Sequence, residues 1–327
     1  RYFRVSKKIL IILMCILCIG AGVSVFLLLQ NKKDTEELPQ ASAQSGADEG
    51  MQNTVTYQGE TYEYNTNLKN VLFLGVDKEA DSVVGETVGR NGQADCILLL
   101  IMDQEAKETT LLQISRDSMT DVDIYGITGS YLATEHVQIA LQYAYGESDS
   151  RSNWLMKNAV SHLLYEIPIS SVMALTVDGI GEVTSAMGGV TLTVPKDYTS
   201  VDPSFAEGAT LTLQGDLAER YVRYRDITVT GSNNDRMERQ NQFIQAMFQQ
   251  MQNINAAAYE SILSSADPYL TTDLSAEELH HLKDYTIHQE IETVPGTAAP
   301  GEEHEEFTVD DQALYELILK LFYKKVD

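Results

Sequence analysis

A run of 21 residues without a charge, Ile9–Leu29, constrains this 327-residue chain more than any other feature of its sequence. At a rise of ~1.5 Å per residue, a helix of that length spans roughly 31 Å, about the hydrocarbon thickness of a bilayer. Four basic residues precede the run, whereas the two lysines after it give way to acidic residues. Because the more basic flank of a span stays in the cytoplasm, we expect a transmembrane helix at 9–29, with residues 1–8 inside the cell and the rest outside.

A cleavable signal peptide is the alternative interpretation of this run. Ala41-Ser42-Ala43 has the small residues of a cleavage site, but it lies well beyond the run, which is also long for a signal sequence. We therefore expect a retained anchor and, at 30–53, a polar linker that holds an exported domain off the membrane. The sequence begins at Arg1 rather than Met, so we also expect a few residues to precede it.

The charge of the chain limits its partners. It carries 23 Lys and Arg against 48 Asp and Glu, a formal net charge of −25. A surface this acidic repels nucleic acid, so we predict no nucleic-acid partner. Any anion that the protein binds must then be met by a local basic cluster. Cys96 is alone in the predicted exported part, and its apolar neighbours favour a core residue over a nucleophile.

Short apolar runs alternate with segments of helical spacing in the middle of the chain. A small hairpin is predicted over 54–64. Strands are predicted at Val71–Leu74, Cys96–Met102, Thr110–Ile114, Val172–Val177 and Val190–Val194, and helices at His136–Tyr145, Asn153–Tyr165 and Gly179–Met187. This alternation predicts an α/β fold in which helices cover both faces of a sheet.

The signals are weaker after Ala256. Ser275 and Glu278 have the spacing of a helix-capping pair. A Pro-, Gly- and acid-rich loop is predicted at 294–303 and an amphipathic helix at 310–324. We expect residues 256–327 to pack on the main domain as an extension without chemistry of its own.

Half of the ten arginines lie in the stretch 220–239. Arg223 and Arg225 are two residues apart, so in an extended segment they share one face. Three further candidates follow at i, i+3 and i+4 on one face of a predicted helix: Arg236, Arg239 and Gln240. Pairing with surface carboxylates is the alternative, but clustering on two adjoining elements favours an anion site.

Strand ends add further charged residues. Asp77 follows the first strand, Asp95 opens the second, and Arg116-Asp117 follows the third. Ligands gather at strand ends in sheets of this class, and acids facing arginines suit a pyrophosphate bridged by Mg²⁺. Ordinary loop capping is the alternative for the two acids Asp77 and Asp95.

Taken together, these segments resemble the LytR–CpsA–Psr family of extracytoplasmic wall-polymer ligases. The resemblance lies between about Asn70 and Met251 and is carried by Val71–Asp77, Ala94-Asp95, Ile114–Asp117, Gly188–Val190, Val194-Pro195, Tyr221–Arg225 and Asp235–Gln240. It implies a three-layer α/β/α catalytic domain with a mixed central sheet at 54–255, and residues 256–327 packed on it. It also implies an apolar groove for a lipid tail.

The resemblance implies a phosphotransferase that attaches a polyprenyl-pyrophosphate-linked anionic glycopolymer, of teichoic acid or capsule type, to peptidoglycan and releases polyprenyl phosphate. The implied catalytic residues are Arg116, Asp117, Arg223 and Arg225. The implied pyrophosphate ligands are Arg90, Arg116, Arg223, Arg225, Arg236, Arg239 and Gln240. Asp77 and Asp95 are the implied ligands of Mg²⁺, with Mn²⁺ as the alternative ion.

One position departs from the family pattern. The family usually has Arg two residues before the second acid, where this chain has Gln93, and Arg90 is the candidate to replace it. Two other functions stay open: a pyrophosphatase acting on the same lipid-linked substrate, and a non-catalytic lipid- or wall-binding regulator. The presence of both Asp77 and Asp95 favours an enzyme. With the predicted span at 9–29, we expect it to be a single-pass protein of a bacterial cell membrane.

Overall fold

The computed structural model describes residues 53–78, 88, 92–224, 232–251, 253–301 and 304–326. The predicted transmembrane helix at 9–29 and all but the last residue of the predicted linker at 30–53 lie outside these residues, as do Arg90 and Arg225. Within the described part of the chain, no helix has the length and apolar character needed to cross a membrane.

The described residues form fifteen strands and seven α-helices. The strands are β1 (Thr54–Tyr57), β2 (Glu60–Tyr64), β3 (Leu68–Val76), β4 (Ala94–Asp103), β5 (Glu108–Ile114), β6 (Met119–Tyr125), β7 (Tyr131–Gln138), β8 (Ser171–Thr176), β9 (Val190–Thr193), β10 (Thr210–Leu213), β11 (Leu270–Thr272), β12 (Thr286–Thr293), β13 (Gly296–Pro300), β14 (Glu305–Val309) and β15 (Tyr323–Val326). The helices are α1 (Asp149–Leu163), α2 (Val177–Ala186), α3 (Gly215–Arg223), α4 (Ser232–Met251), α5 (Ala256–Ala266), α6 (Ala276–His281) and α7 (Asp311–Phe322).

A six-stranded mixed sheet lies at the centre, in the order β11-β8-β3-β4-β5-β12. β3 pairs parallel with β8 and antiparallel with β4, and β5 pairs antiparallel with β4 and parallel with β12. The expected α/β class with a mixed central sheet is therefore confirmed. The buried strands predicted from apolar runs correspond to β3, β4, β5, β8 and β9.

Helices cover both faces of this sheet because side chains alternate along its strands. Leu72 and Leu74 of β3 pack in a core with α1 and α7. The next residues along, Val71 and Phe73, pack in the opposite core, which contains Ile244 of α4. A third core joins the β9–β10 pair to α3 and α4. The two helices that carry the arginine cluster are therefore each anchored by buried apolar side chains.

Two predicted elements outside the arginine cluster differ from the structure. The helix predicted at His136–Tyr145 is wrong at its start, because β7 extends to Gln138 before a 3₁₀ helix forms at Ile139–Tyr145. Pairing with β6 fixes His136 opposite Asp121, and this contact outweighs the local helical spacing. The loop predicted at 294–303 is instead largely a hairpin, since β13 and β14 pair antiparallel.

The segment after Ala256 is part of the central sheet and not an extension beside it. It supplies both edge strands, β11 and β12, and α7 fills one of the two cores against the sheet. β15 pairs with β2 of the N-terminal hairpin, which forms as predicted. The predicted capping box is also present, with Ser275 and Glu278 exchanging hydrogen bonds at the start of α6.

Candidate functional site

An open polar cleft of about 1130 Å³ collects five of the predicted site residues: Asp77, Asp95, Arg116, Arg223 and Arg236. They come from the end of β3, the start of β4, the turn after β5, the end of α3 and the first turns of α4. The rest of its lining is Asp216, Glu219, Arg220 and Tyr224. Residues that are distant in sequence thus meet where strand ends face two helix ends, as the sequence predicted for the acids and for Arg116.

Two arginines hold Asp95 at the floor of the polar cleft. Arg116 Nη1 donates to Asp95 Oδ1, and Arg236 Nη1 lies 3.1 Å from Asp95 Oδ2. The side chains of Arg116 and Arg236 are only 10% and 4% exposed. Arg116 also donates through Nη2 to Gln93 Oε1, so the residue that departs from the family pattern supports an arginine of the cleft. Both guanidinium groups are fixed before any ligand binds.

Asp77 and Arg223 form the more exposed side of the polar cleft. Arg223 Nη2 donates to Asp77 Oδ1 at 2.7 Å and its Nη1 donates to Glu219 at 2.9 Å. Partial burial by itself lowers the pKa of Arg223, but the hydrogen bond to Glu219 and the charge of Asp77 outweigh it and raise the pKa. Gly92, two residues before β4, lies close to the backbone of Asp77. Gly92 has φ 88°, and a Cβ on it would lie 3.0 Å from the Asp77 carbonyl oxygen.

The prediction that Arg223 lies in an extended segment is wrong. Arg223 is the last residue of α3, and Tyr221 and Val222 before it are buried in the β9–β10 core. Arg225 lies outside the described residues, as does Arg90. Arg223 therefore reaches Asp77 from the end of a helix and not from the face of a strand.

Arg239 and Gln240 bind the protein backbone. Arg239 Nε donates to Tyr221 O at 2.7 Å, Nη2 donates to Tyr224 O, and the guanidinium stacks 4.9 Å above the centre of the Tyr198 ring. Gln240 Nε2 donates to Val222 O at 3.1 Å. These groups satisfy carbonyls at the end of α3, which have no partners within the helix. Burial lowers the pKa of Arg239.

Asp117 lies beneath Arg116 and is held by a residue that the sequence did not single out. Gln138 Nε2 donates to Asp117 Oδ1 at 2.7 Å and to Glu305 O at 2.8 Å. Asp117 Oδ1 lies 3.4 Å from Arg116 Nε. Phe307 N donates to Asp117 O at 2.9 Å, so β14 braces the same turn. No local pattern marks Gln138, because its partners are 21 and 167 residues away.

An apolar pocket of about 730 Å³ opens beside the polar cleft, and the two share Asp77, Asp95 and Arg223. Its apolar lining comes from both the sheet and the helices: Phe73, Val76, Cys96, Leu175, Val177, Ile180, Val183, Val222, Phe243, Ile244 and Met247. Burial raises the pKa of Cys96 to about 12, so its thiol is protonated at neutral pH and acts as a wall of the pocket. The combined site fits a ligand with a charged head and a hydrocarbon tail.

The two acids of the polar cleft have the chemistry of a divalent-cation site. Mg²⁺ prefers oxygen ligands and is usually held by one or two carboxylates together with substrate phosphates. Asp77 contacts one arginine and Asp95 contacts two, and each carboxylate has further lone pairs for a cation. Among the described residues no group of three or more His, Cys, Asp or Glu side chains is arranged to hold a metal. The pair fits an ion that is shared with a phosphate ligand.

The sequence model of the LytR_cpsA_psr family matches residues 28–324. This chain belongs to the LytR_cpsA_psr family. The match covers the strand ends, both arginine-bearing helices and the C-terminal edge strands, so the polar cleft and the apolar pocket are built entirely from residues within it.

Two curated relatives in the family are teichoic acid transferases by name. The polyisoprenyl-teichoic acid–peptidoglycan teichoic acid transferase TagU of Enterococcus faecalis is 26% identical over 211 residues, which cover 64% of this chain and 63% of that protein. The corresponding TagV of Bacillus subtilis is 25% identical over 284 residues, covering 84% and 66%. The matches thus span less than two thirds of the length of these relatives.

Solved structures related to the LytR_cpsA_psr chain share its fold. Protein gbs0355 from Streptococcus agalactiae matches with a TM-score of 0.61 and 21% identity, covering 78% of this chain and 87% of that one. TagV of Bacillus subtilis matches with a TM-score of 0.58 and 22% identity, covering 79% and 96%. TagT bound to LIIa-WTA matches with a TM-score of 0.57 and 21% identity, covering 78% and 90%.

Proposed function

We propose that this chain is a phosphotransferase that moves an anionic glycopolymer, of teichoic acid or capsule type, from a polyprenyl pyrophosphate carrier to peptidoglycan. One observation carries the proposal: the polar cleft and the apolar pocket share Asp77, Asp95 and Arg223 and so form one amphipathic site. Guanidinium groups bind phosphate through forked hydrogen bonds, and an apolar pocket accepts a prenyl tail. The names of the family relatives describe a reaction of this class.

The reaction needs no covalent bond to the protein. A hydroxyl oxygen of the wall glycan attacks the phosphorus on the polymer side of the pyrophosphate. The bond from that phosphorus to the bridging oxygen breaks, and the bridging oxygen leaves with the lipid as polyprenyl phosphate. The proton lost by the hydroxyl ends on the released phosphate, so charge and atoms balance.

Catalysis in this scheme is positioning and charge neutralisation. Arg116 and Arg236 are nearly buried and already held by Asp95, so they need little rearrangement to meet negative charge on the phosphoryl oxygens. Arg223 lies where the polar cleft meets the apolar pocket, so it would contact the phosphate next to the lipid. Asp117 and Gln138 act indirectly, because they fix the turn that carries Arg116.

A divalent ion fits the same scheme. Asp77 and Asp95 would hold Mg²⁺, with Mn²⁺ as the alternative, and the bound ion would supply positive charge to the pyrophosphate oxygens. Asp77 is 42% exposed and faces the open side of the cleft, where an ion could arrive together with the substrate.

The proposed substrate and the predicted anchor both place the protein at the membrane. A polyprenyl carrier resides in the membrane, and we place the catalytic domain on its outer side, tethered by the span at 9–29. Peptidoglycan is the proposed acceptor and lies on that side. With a net charge of −25 the chain has no nucleic-acid partner in this scheme.

The decisive experiment incubates the full chain with a polyprenyl-pyrophosphate-linked glycopolymer and peptidoglycan, with and without Mg²⁺. We expect metal-dependent polymer attachment that falls by about 100-fold or more in Asp95→Ala and Arg116→Ala, the usual effect of removing one preorganised charged group. Arg151→Ala is the matched control, since Arg151 stacks on Trp154 and does not line the polar cleft.

The same experiment separates transfer from hydrolysis. Polyprenyl phosphate released in equal amounts with and without peptidoglycan, and no polymer on the wall, would identify a pyrophosphatase. Lipid binding without release of phosphate in either condition would identify a binding protein and overturn the proposed activity.

A further inference from the structure

Helix α4 crosses one face of the central sheet and separates two clefts. On one flank the apolar pocket lies over β8, β3 and β4, where it is lined by Leu175, Phe73 and Cys96. On the other flank a second cleft of about 690 Å³ lies over the ends of β5 and β12 and beside the β13–β14 hairpin. We call it the side cleft. Its polar and aromatic lining includes Gln113, Ser115, Asn241, Thr293 and Phe307.

The side cleft begins where the polar cleft ends. Ser115 in its wall is the chain neighbour of Arg116, and Met237 in its wall is the neighbour of Arg236. The two arginines that hold Asp95 therefore separate the polar cleft from the side cleft. The apolar pocket adjoins the polar cleft on its other side, through Asp77 and Arg223.

The lining of the side cleft has the chemistry of a sugar site. Asn241 Nδ2 donates to Gln113 Oε1 at 2.8 Å, which fixes the amide in place. Asn241 Oδ1 lies beneath the surface of the cleft and accepts no hydrogen bond from any described residue, so a sugar hydroxyl donates to it only after the side chain turns toward the cleft. Phe307 is half-buried and lines the cleft, and an aromatic ring in a sugar site suits the C–H face of a pyranose.

The charge of the lining distinguishes between two candidate ligands of the side cleft, the acceptor glycan and the anionic donor polymer. The side cleft is lined by no Lys or Arg among the described residues, and Glu238 in its lining is paired with Lys196 at 2.7 Å. A phosphate-rich polymer therefore meets no cation in this lining, whereas a neutral N-acetylated sugar needs none. The acceptor strand therefore fits the side cleft better than the anionic donor polymer does.

Reaction geometry points the same way. In phosphoryl transfer the attacking and leaving oxygens lie roughly in line through the phosphorus. The lipid leaves toward the apolar pocket, so the acceptor hydroxyl must approach from the opposite side of the polar cleft. The side cleft lies on the other flank of α4 from the apolar pocket, and Ser115 and Met237 in its lining are the chain neighbours of Arg116 and Arg236.

We propose that the side cleft is the acceptor subsite, in which Asn241 and Phe307 bind a sugar ring of the wall glycan next to the hydroxyl that attacks. This assignment rests on the proposed transfer reaction for its role, but the binding of the sugar can be measured without it.

The test uses the full chain and three variants. Asn241→Leu removes the unpaired acceptor at nearly constant volume, and Phe307→Leu keeps an apolar side chain but removes the ring. Gln249→Leu is the matched control, because Gln249 is exposed two turns further along α4 and lines neither cleft. Thermal unfolding is measured for each, and Asn241→Ser replaces Asn241→Leu if that variant does not fold.

The first measurement is the affinity for a peptidoglycan disaccharide, determined by calorimetry or NMR. We expect affinity to fall by roughly three- to tenfold in Asn241→Leu and Phe307→Leu, the usual effect of losing one hydrogen bond or one ring contact, and to be unchanged in Gln249→Leu. Equal affinity in all four proteins would overturn the assignment, whether or not the chain transfers polymer.

The second measurement is transfer at saturating lipid-linked donor with peptidoglycan fragments varied. The KM for the acceptor should rise by the same factor in both cleft variants, while the KM for the donor stays within twofold. A rise in the donor KM alone would place the donor sugar in the side cleft and overturn the acceptor assignment. If the disaccharide binds through Asn241 and Phe307 but no protein transfers polymer, the sugar site stands and the proposed activity fails.

Discussion

Arg236 Nη1 lies 3.1 Å from Asp95 Oδ2, which joins the first turns of α4 to the start of β4. The contact fixes a buried guanidinium at the boundary between the polar cleft and the side cleft. It also distinguishes Arg236 from Arg239, which is one turn further along the same helix but donates to backbone carbonyls of the segment at the end of α3.

Arg236→Met should abolish transfer while leaving the fold intact. The charge that faces the phosphoryl group is lost, so we expect kcat to fall by about 100-fold or more. Arg236→Lys keeps a positive charge but loses the forked pair of donors. Its kcat should therefore lie between those of the wild type and of Arg236→Met. Steady-state transfer assays and circular dichroism check both variants. Wild-type kcat in Arg236→Met would contradict a role at the phosphate.

Arg239→Met should instead destabilise the domain. It leaves the carbonyls of Tyr221 and Tyr224 without their buried donor, and hydrogen bonds to charged groups contribute about 1.5–3 kcal/mol each. We expect the free energy of unfolding in urea to fall by about 2–4 kcal/mol. Full stability with complete loss of pyrophosphate binding would instead assign Arg239 to the ligand.

Gln138→Met should lower kcat through Arg116. Without the amide, Asp117 loses a 2.7 Å donor, and the turn that carries Arg116 loses its link to Glu305. We expect a fall of about tenfold in kcat, with the KM for the donor within twofold. In a protein that already carries Arg116→Ala, Gln138→Met should not lower kcat further, because both substitutions act through the position of Arg116. Additive losses would indicate a purely structural role.

Cys96 offers a test of the apolar pocket. Cys96→Phe narrows the pocket, so it should weaken binding of a long-chain polyprenyl pyrophosphate by about tenfold and leave inorganic pyrophosphate affinity unchanged. Cys96→Ala is the control and should bind both as the wild type does. Because burial raises the pKa of the Cys96 thiol to about 12, its alkylation at neutral pH should be slow. Rapid alkylation would contradict a buried wall residue.

Glu278 makes stability depend on pH at acidic values. The hydrogen bond from Lys69, with those from Ser275, lowers the pKa of Glu278 from 4.5 to about 2. The carboxylate therefore stabilises the folded state above pH 4.5, and this contribution is lost as the pH falls toward 2. The difference in unfolding free energy between wild type and Glu278→Gln should therefore shrink toward zero as the pH falls over that range. A difference that widens on acidification would contradict it.

The strand ends of the site were predictable because apolar runs mark buried strands without reference to distant residues. Asp77, Asp95 and Arg116 each follow or open such a run, and they meet in the polar cleft. The position of Arg223 was not predictable, because Tyr221 is buried against β9 and β10, and this tertiary packing makes the segment helical.

Partners that lie far away in sequence explain the other differences. Gln138 has an ordinary polar position in a strand, and only its contacts with Asp117 and Glu305 connect it to the site. β12 pairs parallel with β5 across more than 170 residues, and such pairing leaves no local pattern. The strand-end residues of the polar cleft could therefore be located from the sequence, whereas the residues that support them could not.

The brace from β14 has a consequence for the order in which the molecule becomes active. Synthesis runs from the N-terminus, so the turn Ser115–Ser118 is made long before Glu305 and Phe307, which hold it in place. A nascent or truncated chain that ends before β14 has all the arginines of the polar cleft, but it lacks the bond from Phe307 N to Asp117 O in this turn and the bond from Gln138 to Glu305 O beside it. The turn that carries Arg116 therefore reaches its final arrangement only when the chain is almost complete.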